Sequence, residues 1–85
     1  MKFLMNETST VAVNTASIIY IYIEKRYPSV QVVAQCNEEI YYPENGYSAV
    51  ATLQTFDSDD EDKNMTAAKK YLVELVDKLN SGGNL

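Results

Sequence analysis

The densest apolar segment runs from Ser17 to Glu24 and reads Ser-Ile-Ile-Tyr-Ile-Tyr-Ile-Glu. β-Branched and aromatic side chains favour extended backbone, so this segment predicts the strongest strand in the chain. Strict alternation would set Ile19, Ile21 and Ile23 on one face and Ile18, Tyr20 and Tyr22 on the other. Apolar residues on both faces of a strand mean that both faces are covered. Lys25-Arg26-Tyr27-Pro28 ends the strand, because Pro28 has no N–H for a ladder and restrains Tyr27. Val30 to Cys36 then alternates, with Val30, Val32, Ala34 and Cys36 on one side and Gln31, Val33 and Gln35 on the other. Asn37-Glu38-Glu39 predicts a turn into Ile40-Tyr41-Tyr42. In Pro43-Glu44-Asn45-Gly46, Pro sets the first corner of a turn and Gly accepts positive φ. Tyr47 to Phe56 is a long strand. Upstream, Lys2 to Met5 and Thr10 to Val13 are short extended segments separated by the turn Asn6-Glu7-Thr8-Ser9, with a further break at Asn14-Thr15-Ala16.

The periodicity changes at Asp57. Met65, Ala68, Leu72, Leu75, Val76 and Leu79 recur at steps of three and four, which is one apolar stripe on a helix. Ser58-Asp59-Asp60-Glu61 fits a capping box, in which the Ser58 hydroxyl and the Glu61 carboxylate satisfy orphan N–H groups. Glu74 and Lys78 add a favourable four-residue pair. Asn80-Ser81-Gly82-Gly83 stops the helix, with Gly supplying a left-handed cap. The helix is expected over about 59–80, its start falling at Asp59 or as late as Asn64.

Strands followed by one C-terminal helix predict an α+β fold of two layers. A four- to five-stranded, mainly antiparallel meander would carry the helix on one face. Residues 1–80 form one domain, with the strands within 2–56 and a flexible tail at 81–85. Eighty-five residues leave no room for a second domain, and a chain of this length buries only about 60–65 % of its unfolded surface. One helix covers one sheet face. The face bearing Ile18, Tyr20 and Tyr22 must be shielded by a curled sheet, by loops or by another chain, so these three residues are the candidate interface of a homodimer.

Composition narrows the chemistry. The chain has no His, no Trp and one Cys. It holds no Gly-rich phosphate loop, and its only close carboxylates sit in a run that should be solvated, whereas acid–base catalysis needs environments that separate two pKa values. No catalytic residue, no metal site and no cofactor is assigned, and the expectation is a protein that is not an enzyme. Cys36 reads as a small apolar residue in a strand. A net charge of −5 repels phosphate, so direct binding of nucleic acid or of an anionic membrane is not expected. The N-terminus lacks a signal-peptide core and no apolar run approaches the roughly 20 residues of a membrane span, so a cytoplasmic protein is expected. Asn6-Glu7-Thr8 and Asn64-Met65-Thr66 match the glycosylation pattern, by chance in an unsecreted chain.

The acidic run Asp57, Asp59, Asp60, Glu61 and Asp62 has two readings. A calcium loop is excluded, since counting from Asp57 the sixth position is Asp62 rather than Gly and the twelfth is Ala68 rather than Glu. Acids at a helix start complement the macrodipole. Closely spaced carboxylates also imitate a phosphate backbone and could occupy a basic cleft on another protein. The seven Tyr residues are likewise explained by half-buried strand packing or by an interface.

Ala12-Val13-Asn14 followed by Ser17-Ile18 and Ile21, and Thr55-Phe56-Asp57-Ser58 leading into Ala68-Lys69-Lys70-Tyr71-Leu72, resemble short uncharacterised proteins of prophages and mobile elements in low-GC Gram-positive bacteria. The resemblance covers most of the chain through strand and cap patterns and brings no catalytic residue or ligand with it. It implies a setting in which small acidic proteins include anti-CRISPR and other anti-defence inhibitors that block nucleic-acid-binding surfaces. The expected function is a non-enzymatic binding protein that inhibits a host protein by occupying a basic surface, as a nucleic-acid mimic. One alternative is a structural homo-oligomer. Another is a protein that sequesters a small ligand or nucleotide, which basic residues near a pocket would favour.

Overall fold

The computed structural model describes residues 2–81. It is an α+β fold of five strands in two antiparallel sheets and one C-terminal helix. Strands β1 (Phe3–Met5) and β2 (Ala12–Asn14) form a hairpin, and a 3-10 turn at Thr15–Ser17 leads into β3 (Ile18–Arg26). Strands β4 (Ser29–Tyr42) and β5 (Gly46–Phe56) complete a three-stranded sheet in the order β3-β4-β5, and α1 spans Glu61–Asn80. The expected single meander is therefore split in two. The break is local: Asn14 accepts from the Ala16 N–H and the chain turns before β3 begins, so the three-residue strands of the hairpin do not extend the main ladder.

Residue choice explains the core. Val30, Val32, Ala34 and Cys36, the alternate positions of β4, are all buried, and they meet Ala51 and Leu53 of β5 and Ala68 and Leu75 of α1. Val13 of β2 joins the same cluster, with Leu4 and Val11 packed against it. The helix and the small hairpin thus contribute to one core. Phe56 and Tyr71 close one side edge to face, ring centroids 5.9 Å apart. Of the expected helical stripe, Ala68 and Leu75 are buried and Met65, Leu72 and Leu79 are half-buried. Val76 lies at its exposed margin.

Each main strand carries an irregularity. On β3, Ile18 opposes Cys36 and Tyr20 opposes Gln35, so Ile19 is an extra residue. On β5, Leu53 is extra between Thr52, opposite Val33, and Gln54, opposite Val32. On β4 the residues between Gln35 and Ile40 face only the single step from Val50 to Ser48. Asn37-Glu38-Glu39, expected to be a turn, is therefore a wide bulge inside one continuous strand. Bulges bend strands and raise their twist. The turn at Pro43–Gly46 is as expected, with Gly46 at φ 81°.

The bulge at Ile19 also corrects the expected faces of β3. Ile18 packs with Ile21 and Ile23 against the core, whereas Tyr20 and Tyr22 lie together with their ring centroids 5.3 Å apart. A one-residue slip exchanges the faces of a strand, so Ile18 does not share a surface with the two tyrosines.

The helix start differs too. The N-cap is Asp60, whose carboxylate accepts from the N–H groups of Asp62 and Lys63 at 2.9 and 3.2 Å. Ser58 is two residues too early to cap, and its hydroxyl instead donates to the Asn64 side-chain oxygen at 2.7 Å. At the other end Ser81 is the C-cap in right-handed conformation, its N–H donating to the Asp77 carbonyl at 2.9 Å. Ser81, expected to open a flexible tail at 81–85, is thus part of the helix end, and the glycine cap and the rest of that tail lie outside the described residues.

Leu75→Ala is expected to cost about 2–4 kcal/mol through lost burial and a residual cavity. Lys70→Ala, on the exposed side, should stay within about 0.5 kcal/mol. Chemical denaturation of the two variants checks the packing of α1 directly.

Candidate functional site

The acidic run is brought to one corner of the molecule, between the end of β5 and the first turn of α1, and is divided in its roles. Asp57 accepts from the Ser29 hydroxyl at 2.7 Å, which ties the end of β5 to the start of β4. Asp60 caps the helix. Asp59, Asp60 and Asp62 are exposed and Glu61 is half-buried in the first turn. Among the described residues no cation lies within ion-pair distance of any of the five, since the ion pair present joins Arg26 to Glu24 at 2.6 Å. Hydrogen bonds at Asp57 and Asp60, the helix dipole and solvent offset their charge. These carboxylates are not gathered round a point, and no group of three or more potential metal ligands occurs among the described residues.

The corner is held by Asn64, which sequence reasoning passed over. Its side chain is only 4 % exposed. The carboxamide nitrogen donates to the Pro28 carbonyl at 2.7 Å and to the Ser58 carbonyl at 3.1 Å, while its oxygen accepts from the Ser58 hydroxyl. A buried amide must be bonded in this way or cost free energy. Asn6 plays the matching part in the β1–β2 loop: buried, it accepts from the N–H groups of Thr10 and Val11 and donates to the hydroxyls of Thr8 and Thr10. Both asparagines of the two glycosylation-like triplets are thus interior bracing. The signal that could have found Asn64 is its place three residues before Ala67 and four before Ala68, at the head of the apolar stripe.

The tyrosines separate into distinct settings. Tyr20 and Tyr22 stand on β3, and Tyr41 and Tyr47 form an exposed cross-strand pair on the far half of the β4–β5 hairpin, with centroids 5.4 Å apart. Tyr42 and Tyr71 belong to the interior, and burial pushes both phenols above their ordinary range. For Tyr42 the neighbouring Cys36 and Glu44 charges add to that effect, and its buried hydroxyl has no hydrogen-bond partner among the described residues. Cys36 is free and buried, and its thiol is held above the ordinary value by burial first and by Glu38 second.

A polar cavity of about 280 Å³ opens beside β5, lined by Glu7, Arg26, Tyr42, Glu44, Val50 and Thr52 among others. Its guanidinium is already engaged by Glu24. Its carboxylates are engaged as well: Glu7 accepts from Thr55 at 2.6 Å and Glu44 accepts from Thr8 at 3.2 Å. Hydrogen bonding, led by Thr10, holds the Glu44 carboxyl below its ordinary value. One cation against two acids gives this cavity no attraction for phosphate, so the nucleotide-sequestering alternative finds no support in it. No helix among the described residues is long and apolar enough to cross a membrane.

Comparison of the chain with family models, with curated proteins and with solved structures gave no match in any of the three.

Cys36, Tyr42 and Tyr71 all hold their protons more tightly when folded than their ordinary values of 9.0, 10.0 and 10.0. The folded state therefore binds more protons above those values, and stability falls as pH rises through them. These groups should leave the melting temperature unaffected below about pH 9 and lower it as the pH rises above that. Tyr71→Phe should flatten part of that decline, which thermal melts from neutral to alkaline pH will measure.

Proposed function

We propose that this chain is a non-catalytic binding protein whose acidic corner, Asp57 to Asp62, docks on a basic surface of another protein and keeps nucleic acid from it. The observation that carries the reading is the set of carboxylates at the first turn of α1, held on a braced helix start with no cation beside them among the described residues. Rigid presentation matters because a charged patch ordered before binding loses little entropy on docking. The acidic net charge steers the chain toward cationic partners and away from nucleic acid itself. In the setting that the sequence resemblance implies, the partner would be a host defence protein, and the effect would be inhibition in the host cytoplasm.

The cap geometry supplies a clean test. Asn serves as an N-cap as well as Asp does. Replacing Asp59, Asp60 and Asp62 by Asn therefore removes charge, while the new carboxamide oxygen at the cap position still accepts from the first-turn N–H groups. The variant should lose little stability. Captured from bacterial lysate, the partner of the natural chain should be released as salt shortens the Debye length below about 8 Å, and added DNA should compete for it. The triple variant should capture much less. A partner retained equally by both forms and indifferent to salt and DNA would reduce the acidic corner to a helix cap.

A further inference from the structure

The polar cavity beside β5 carries more negative charge than its surroundings cancel. Glu7 and Glu44 both line it, and they accept from the hydroxyls of Thr55 at 2.6 Å and Thr8 at 3.2 Å. A hydroxyl donates a hydrogen bond without neutralising a carboxylate. Arg26 lines the cavity too, but it is paired with Glu24, and among the described residues no other ion pair occurs. Hydrogen bonding led by Thr10 keeps the Glu44 carboxyl below its ordinary value, so it is ionised at neutral pH. Two carboxylates without a cation of their own therefore border one space of about 280 Å³. Tyr42 is an independent mark of a site. It lines the same cavity, is 5 % exposed, and its buried hydroxyl has no hydrogen-bond partner among the described residues. Burial first, then the Cys36 and Glu44 charges, holds its phenol above the ordinary range, which sets the hydroxyl near the Glu44 carboxylate. Buried polar groups are almost always paired, and a bound ligand would pair this one.

We propose that this cavity binds a small aliphatic diamine, one ammonium group on Glu44 and the Tyr42 hydroxyl, the other on Glu7. An ammonium offers three donors and no acceptor, which matches carboxylates and a hydroxyl free to accept. The Arg26–Glu24 pair is neutral as a unit, so the balance of the cavity is left to the two carboxylates, and two cationic groups complete it. Val50 lines the wall and gives the methylene chain an apolar surface to pack on. A metal ion suits the space less well. Hard divalent cations gather six or more oxygens, and no group of three or more potential metal ligands occurs among the described residues. An anion is repelled. Pockets for drug-sized molecules begin at about 300 Å³, so this one fits a ligand at the small end of the range. The net charge of −5 raises the local concentration of cations. The site is separate from the acidic corner and takes its ligand whether or not that corner has a partner.

Isothermal titration calorimetry with putrescine, the four-carbon diamine, at low ionic strength tests the site, with circular dichroism confirming that each variant is folded. The natural chain should bind saturably with a Kd of about 1 mM or below. Butylamine should bind about threefold more weakly or worse, since a single ammonium leaves one carboxylate unpaired, and butanediol should not bind. Glu7→Gln with Glu44→Gln keeps an oxygen for each hydroxyl donor and should weaken putrescine binding about tenfold or more. Tyr42→Phe removes an unpartnered hydroxyl, so it should leave the melting temperature unchanged or higher and weaken binding about threefold. Exchanging Asp59, Asp60 and Asp62 for Asn should leave binding as it is. The absence of saturable binding up to about 10 mM overturns the proposal. So does butylamine, butanediol or magnesium chloride binding as well as the diamine. So does binding that survives the double Gln exchange and is lost with the three Asn exchanges, which would be counterion attraction at the acidic corner.

Discussion

The fold turns on the buried carboxamide of Asn64. One side chain binds the Pro28 carbonyl in the β3–β4 turn and both the carbonyl and the hydroxyl of Ser58 in the β5–α1 connection. Three separate pieces of chain are thereby fixed at one point. An 85-residue chain has little apolar burial to spare, and a small core leaves the direction of a lone helix weakly specified. A buried amide adds direction, because its partners are set by geometry and leaving any one of them unpaired costs about 1–3 kcal/mol. With the first turn anchored at Pro28, Ala68 and Leu75 fall over Val30, Val32 and Ala34, and the helix crosses the sheet in a single orientation.

The layout of the surface follows from that orientation. The anchored turn holds Asp59, Asp60 and Asp62 outward at one corner, where Asp60 satisfies the first N–H groups of the helix. The opposite end of the helix comes to rest beside the start of β3, where Val76 and Leu79 line a groove with Ile18 and Ile21. Charge collects at one end of α1 and apolar surface along its flank toward the other. A solvated charged rim favours fast, salt-sensitive encounters.

Much of this was legible in the residues. The alternation of β4, the Pro43–Gly46 turn and the stripe of Met65, Ala68, Leu72, Leu75 and Leu79 are local patterns whose physics is complete within a few residues, and the structure follows them. What escaped the sequence was non-local. The Ile19 bulge reverses the face of Ile18, and alternation alone does not announce a bulge. The wide bulge at Asn37–Glu39 looked like a turn because polar residues suit either. Ser58 fits a capping box by spacing, yet Asn64 claims its hydroxyl, and a competition between two distant partners is invisible to a motif. Asn64 itself read as a polar residue near a helix start, since its main partner lies thirty-six residues away.

Removing the anchor, in Asn64→Ala, separates its bonding from its helix propensity. The substitution favours helix and removes no apolar contact of size, so propensity alone would leave the protein unchanged or slightly more stable. If the carboxamide fixes the helix to the sheet, chemical denaturation should show a loss of about 1–3 kcal/mol, as the hydrogen bonds to Pro28 and Ser58 are lost from one buried point. A change within about 0.5 kcal/mol, the range of an ordinary surface substitution, would contradict it.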